Sequence, residues 1–581
     1  MYVATVPNRH SPPAILLRQS FRSDGKVRNR TLANLSHWPP AQVDALRAVL
    51  KGATSLATPL PQAFDIVRSR PHGHVTAVLG TLHRLQLDHL IKRQPNRQRD
   101  LVLAMIVARV LEPASKLATS RALHPDTLSS TLGELLQLDS LTEDELYQAM
   151  DWLLPQQTRI EQALAQRHLA EGSLVLYDLT STYFEGRHCP LGKLGHSRDD
   201  AKGKLQVVFG LMTDAKGCPV AVEVYAGNTS DPKTVSDQIT KLRQRFGLQR
   251  VILVGDRGMI TSARLRENLQ PVPGIEWITA LRAPAIKKLA SDGVLQLSLF
   301  DSQDLAEISH PDFPGERLVA CYNPLLAEER ARKRPELLTA TEKELEKIAK
   351  ATRRQKRPLR GKHNIGLRVG KVLNRFKMGK HFQVQIEDDS FSYQRQQANI
   401  EKEESLDGIY VIRTNVPAEV LSSEQAVRNY KSLSGVERAF RSLKTVDLHV
   451  RPIHHRQPDR VRAHIFLCML AYYVEWHIRQ DLAPLLFDDE DRAAAEKMRT
   501  SVVAPAQRST SAQAKVHGKR TQDDLPVHSF QTLLSDLATI VSNRVQPRDG
   551  STPAFDIITT PTALQQRAFE LLKVTIKPPG A

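Results

Sequence analysis

Apolar residues along this chain change their period several times, and the changes mark out its parts. Over 1–38, loose alternation in ILLRQSFR, a Gly turn in SDGK and the run VRNRTLANL predict a small β unit. Arg18, Arg22, Arg28 and Arg30 make it basic. From 39 to 172, apolar positions recur at helical spacing, as in RDLVLAMIVARVL and LYQAMDWLLPQQTRIEQALAQRHL. Short helices with Ser or Thr starts suit a DNA-reading helix-turn-helix and a plain helical bundle equally. At Ser173 the pattern turns to strands. SLVLYDLT is a short, nearly continuous apolar run, as a strand buried on both faces requires. LQVVFGLM, the turn DAKG and PVAVEVYAG predict a hairpin. An amphipathic helix, VSDQITKLRQRFG, leads to a second buried strand, VILVGDRGM. Helix SARLRENL and strand IEWITALR follow.

The order β-β-β-α-β-α-β over 173–286 is that of a ribonuclease H-like sheet, which sets the fold class as α/β. In that order the first and fourth strands lie side by side and parallel, with their C-terminal ends together. Residues 287–404 interrupt the unit with a densely charged helix and short strands such as HFQVQIED, and are expected to be a β-rich, charged insertion domain. The strand DGIYVIRTN and the helix EQAVRNYKSLSGVERAFRSLK resume the core over 405–485. Residues 486–530 hold few large apolar side chains and are expected to be a flexible linker. Helices over 531–581 close the chain, and no internal repeat is evident.

Charge narrows the partners. With 81 Lys plus Arg against 63 Asp plus Glu, the 581-residue chain carries a formal charge of +18. Such an excess points to a polyanion, because each neutralised phosphate releases condensed counterions. The apolar segment from Ile465, IFLCMLAYYV, falls far short of the roughly 20 residues that span a bilayer, so nucleic acid is favoured over membrane. The start lacks a signal-peptide pattern. Four scattered cysteines, Cys189, Cys218, Cys321 and Cys468, show no C-x-x-C pairing. That argues against a structural zinc site and a disulfide framework, and fits a reducing cytoplasm.

Candidate chemistry gathers on three acids. Asp178 ends one buried strand and Asp256 ends the other. Two carboxylates side by side repel by about 4 kcal/mol at about 4 Å and an effective dielectric of about 20, a cost that a divalent cation relieves. Mg²⁺ prefers such oxygen ligands. A lone aspartate at a strand end is usually a turn former or cap; two on neighbouring strands are a different matter. Glu437 joins them from the helix. At 3.6 residues per turn, Tyr430, Ser434, Glu437, Arg441 and Lys444 share a face, with Val436, Phe440 and Leu443 as the adjoining apolar stripe. The bland alternative is a surface Glu437–Arg441 ion pair. His454 and His455 read as a basic loop ahead of a metal site. Ser230 or Asp231 reads as a helix cap, and Trp277 and Trp476 as core residues.

These segments resemble the DDE transposases of bacterial insertion sequences, specifically the insertion-sequence-four superfamily, whose glutamate lies in a signature Y-x2-R-x3-E-x6-K. Tyr430, Glu437 and Lys444 stand at that spacing, while Leu433 occupies the Arg position. Arg428, Lys431 or Arg441 would then supply the missing phosphate contact. YDLTSTYFEG with GHSRDDAKGKLQVVFGLMTDAKGCPV and GNTSD is similar to the family's first-Asp block, and VILVGDRGM to its second. The resemblance implies Asp178, Asp256 and Glu437 as catalytic residues and metal ligands for two Mg²⁺ or Mn²⁺ ions. It implies Tyr430, Lys431, Arg441 and Lys444 as DNA-binding residues. It further implies in-line attack on phosphorus with one ion activating the nucleophile and the other stabilising the leaving oxygen. The implied partners are terminal inverted repeats and target DNA, held by a homodimer in a synaptic complex, with no membrane. Two rivals remain: a nuclease of the same sheet class without strand transfer, and a transposase-derived DNA-binding protein that has lost catalysis.

Overall fold

The computed structural model describes all residues except 10, 24, 52–62, 127–128, 187, 199–202, 302, 500, 549–552 and 580–581. Residues 199–202 of the expected first-Asp block therefore lie outside the described residues.

Strands β1 (Tyr2–Val6), β2 (Ala14–Ser23) and β3 (Lys26–Asn34) form a small antiparallel sheet. A fourth strand, β4 (Phe64–Pro71), lies in a region whose pattern predicts helix. Its partner is far away in sequence, which is why local periodicity does not reveal it. The central sheet then collects β5 (Ser173–Tyr183), β6 (Gln206–Thr213), β7 (Pro219–Ala226), β8 (Val251–Val254), β9 (Ile275–Ala280), β10 (Leu305–Ile308), β11 (Arg317–Tyr322) and β14 (Ile409–Thr414). The strands run in the order β10-β11-β14-β9-β8-β5-β6-β7. β5, β8 and β9 are mutually parallel, and the remaining pairings are antiparallel. The first and fourth strands of the unit are thus neighbours, in the direction their order predicts. All four residues of β8 are buried, as a central parallel strand covered on both faces must be.

Between β11 and β14 the chain leaves the sheet. The Pro324–Thr352 and Lys362–Phe376 helices and the hairpin of β12 (Phe382–Ile386) and β13 (Phe391–Arg395) share a core of their own around Leu345, Ile365, Phe382 and Phe391. The expectation of a β-rich insertion over 287–404 is corrected in two ways. Helices dominate the excursion, because its charges alternate with apolar residues at helical spacing. β10 and β11, meanwhile, belong to the central sheet. Arg334 ties the excursion back: one guanidinium nitrogen donates to both carboxylate oxygens of Asp407, at 2.6 and 2.5 Å.

One continuous core joins the helical region before β5, the central sheet and the C-terminal helices. The Pro458–Asp481 helix runs through it, buried on nearly every side from Ala463 to Glu475. Among the described residues no helix is long and apolar enough to cross a membrane. The expected linker, 486–530, instead carries the Arg492–Lys497 and Thr510–Gly518 helices and buries Val503 and Ala512. Polar anchors replace the missing apolar ones: the Lys515 ammonium donates to the carbonyls of Ala483 and Asp488 at 2.8 and 3.0 Å and pairs with Glu490. The closing helices, Phe530–Ala538 and Ala563–Leu572, are separated by β15 (Val541–Pro547) and β16 (Phe555–Ile558), which complete a sheet with β4.

Candidate active site

Strand register does most of the positioning. Leu176 of β5 pairs with Val254 of β8, so Asp178 and Asp256 each stand two residues beyond a matched pair. With a side-chain period of two, both face the same side of the sheet where the strands part. Asp178 is half-buried and its Oδ1 accepts the Leu179 amide at 2.7 Å. Asp256 is exposed, and its Oδ2 accepts the Gly258 amide at 2.9 Å. A Cβ on Gly258 would sit 2.9 Å from that same oxygen, so a side chain there would push the Asp256 carboxylate aside. The Arg282 guanidinium braces the loop from below, donating to the carbonyls of Arg257 and Gly258 at 3.1 Å each.

Glu437 comes from the Ser434–Arg441 helix, seated on the sheet by Val436 and Phe440. The Phe440 ring meets Phe209 of β6 edge-on at 5.6 Å. Glu437 itself is exposed. The helix predicted over 424–444 is broken: one helix ends at Lys431, the next begins at Ser434, and a π-helical turn covers Ser442–Val446.

The three acids meet electrostatically. Burial first, and then the charges of Asp256 and Glu437, push Asp178 up to about 7, against the pull of the Leu179 amide and Arg198. Tyr430 joins the same group: burial, then the charges of Asp256, Asp178 and Glu437, push its phenol up to about 12, with Arg257 opposing. Tyr430 is thus a neutral O–H donor facing three carboxylates. Among the described residues, the acids' oxygens do not all fall within 4.8 Å of one another. The donor set is nonetheless all oxygen and net negative, which suits a hard divalent cation.

The expected DNA contacts divide. The Lys444 ammonium donates to Thr180 Oγ1 at 2.8 Å and to the Ser181 carbonyl at 2.9 Å, fastening the glutamate helix to β5 just past Asp178. Arg441 is exposed and lines a cavity of about 670 Å³ with Arg438 and Arg492. Lys431 does not point to open surface: its ammonium donates to the carbonyls of Val502 and Val503 at 2.6 and 2.8 Å, and burial pushes it down to about 8. Its expected place on DNA is corrected, since the strap over 486–530 occupies it. Arg428 pairs with Glu496 at 2.9 Å. Leu433, at the signature's Arg position, is 9% exposed and packs in the core.

Sequence reasoning overlooked Arg198. Its amide donates to Ser181 Oγ at 2.9 Å, and its guanidinium pairs with Asp231 and donates to the Leu179 carbonyl. It is a cation that faces Asp178, and its only sequence signal is its place in the first-Asp block. Asp231, expected as a helix cap, serves as its ion-pair partner.

Comparison with known proteins gives the family. Residues 177–474 match the family model described as the transposase DDE domain, and residues 3–59 match the N-terminal domain of IS1634 family transposases. No curated protein matches the chain. Among solved structures, a piggyBac transposase synaptic complex with hairpin DNA is 9% identical over 70% of this chain and 72% of its own, with a TM-score of 0.34. A Mos1 transposase paired-end complex with the left transposon end is 12% identical over 34% of this chain and 62% of its own, with a TM-score of 0.14. At those scores neither likeness fixes the fold. The DDE-domain match spans just over half the chain and includes Asp178, Asp256 and Glu437, so this protein belongs to the DDE transposases of insertion sequences.

Proposed function

We propose that this transposase binds the ends of an insertion sequence, cleaves them and joins the 3′ ends to target DNA at a site built by Asp178, Asp256 and Glu437 on a ribonuclease H-like core. The observation that carries the reading is the parallel β5–β8 register, which sets Asp178 and Asp256 at matched positions beside Glu437's charge. These three carboxylates would hold the divalent ions, Mg²⁺ or Mn²⁺. When bound, such ions supply charge neutralisation for in-line displacement at phosphorus.

The chain's own groups do the rest. Tyr430, kept protonated, offers its O–H to a phosphate oxygen beside the cut. Lys444 locks the glutamate helix to β5, and Arg198 holds the backbone of β5 at Leu179. Arg441 supplies positive charge for DNA on the neighbouring wall. Phosphate contacts of this kind set the register of DNA without reading sequence. Two chains would pair two element ends in a synaptic dimer.

The test supplies the protein in trans to a donor plasmid whose resistance cassette is flanked by the element's own ends. Insertions into a target replicon are expected with wild type and absent with Asp178→Ala, Asp256→Asn and Glu437→Gln. Binding of labelled ends by the variants should stay within a few-fold of wild type. Chelator should stop cleavage and leave end binding in place. Cleaved ends without joined products would turn the reading to a nuclease; end binding without cleavage by wild type would turn it to an inactive DNA binder.

A further inference from the structure

A second constellation lies away from the acids. Cys218 is fully buried in the turn between β6 and β7. Its Sγ lies 3.9 Å from His168 Nε2 and 3.9 Å from His477 Nε2. His168 ends the Gln157–His168 helix, and His477 sits near the end of the Pro458–Asp481 helix. All three ligand atoms fall within 4.8 Å of one another. We propose that Cys218, His168 and His477 form a three-ligand site for one Zn²⁺ ion, distinct from the carboxylate site.

The spacing fits. Zinc bonds of about 2.0–2.1 Å to nitrogen and about 2.3 Å to sulfur place tetrahedral ligand atoms about 3.3–3.6 Å apart. The sulfur–nitrogen separations are a few tenths of an ångström wider, which side-chain rotation closes. One thiolate and two imidazoles suit a borderline-soft ion and do not suit Mg²⁺. Both histidines are half-buried, which leaves a path for the ion and for a water as fourth ligand.

The surroundings hold the ligands in place. Asp214 Oδ1 accepts the amides of Lys216 and Cys218 at 2.8 and 2.9 Å, shaping the turn that presents the thiol. Tyr473 lies 3.0 Å from His168 Nε2, the nitrogen the ion would take, so its phenol is a partner exchanged on binding. Outer partners of this kind typically matter by about 10–100-fold in affinity.

The site has a position from which to matter. It would join the helix before β5, the β6–β7 turn and the long core helix at one point. The same turn abuts the glutamate helix: a Cβ on Gly217 would meet Gly435 at 3.6 Å. Scattered cysteines argue against zinc in the sequence because two of the three ligands are histidines from distant segments.

The experiment uses the full chain, purified without a histidine tag, stripped with chelator and titrated with Co²⁺. Asp256→Asn serves as background so that the carboxylate site does not intrude. A thiolate-to-cobalt charge-transfer band saturating at one ion per chain, and displaced by Zn²⁺, is expected. It should vanish in Cys218→Ser, and Asp214→Asn should weaken binding by about tenfold or more. No band in the parent protein, or an undiminished band in Cys218→Ser, overturns the site. Should serine at 218 prevent folding, His477→Gln decides: affinity reduced at least tenfold supports the site, and unchanged affinity refutes it.

Discussion

At the residue scale, one position separates a family pattern from this fold. The signature expects arginine where Leu433 stands, and from the sequence alone a Leu433→Arg change looks neutral or even restorative. The structure reverses that expectation. Leu433 sits in the core between two helices, and a guanidinium there would be buried without a partner. Burying an unpaired charge costs several kcal/mol even after relaxation, so Leu433→Arg should lower the denaturation midpoint and reduce transposition together. Unchanged thermal stability with normal insertion counts would show that the site tolerates the cation. The three acids were legible because each lies in or just beyond a strongly patterned element, although β5 continues to Tyr183, so that Asp178 lies within its strand and does not end it. Arg198 was not, since a lone arginine in a loop looks like any surface charge until the fold sets it against Asp178.

At the element scale, buried polar links fix how helices meet the sheet. Glu161 of the Gln157–His168 helix is fully buried; its Oε1 accepts the Val222 amide of β7 at 3.0 Å. Lys241 reaches its Oε2 at 3.2 Å and Glu223 at 3.0 Å. Removing one partner of such a pair strands the other charge, at a cost of about 3–5 kcal/mol. Lys241→Met should therefore destabilise strongly, whereas Lys241→Met combined with Glu161→Gln should recover much of the loss. Urea unfolding of both variants checks this, and a fully additive double variant would deny the coupling. The hairpin, the two parallel strands and the long buried helix could be read from periodicity. β4 could not, because its hydrogen-bonding partner β15 lies at the other end of the chain. Nor could the strap over 486–530, whose order comes from lysine-to-carbonyl bonds with no hydrophobic signature.

At the scale of the whole molecule, acid should loosen the fold. Burial first, and then Lys116 and Arg109, push His455 down to about 3 from its ordinary 6.5. Burial, and then His72, push His74 down to about 4. With the folded values depressed, the neutral forms belong to the native state. Their contribution is complete above 6.5 and is lost as pH falls from there toward about 3 to 4. Each such histidine contributes a slope of about 1.4 kcal/mol per pH unit in that window. Unfolding measured at about pH 7.5 and at about pH 5.5 should show lower stability at the acid value, with a shallower decline in His455→Gln. An identical decline in that variant would place the loss elsewhere.

The sequence by itself determined the order of elements from β5 to β9, the two buried strands that lead to the aspartates, and the helical segment that carries the glutamate. Those follow from local periodicity, which depends only on neighbours along the chain. The tertiary structure alone decided which cations face the acids and which are held by carbonyls. It also decided that Leu433 is a core residue, that the linker is a strap, and that Cys218 meets two histidines. Each of these depends on contacts between segments far apart in sequence, where side-chain partners are set by packing and leave no period to read.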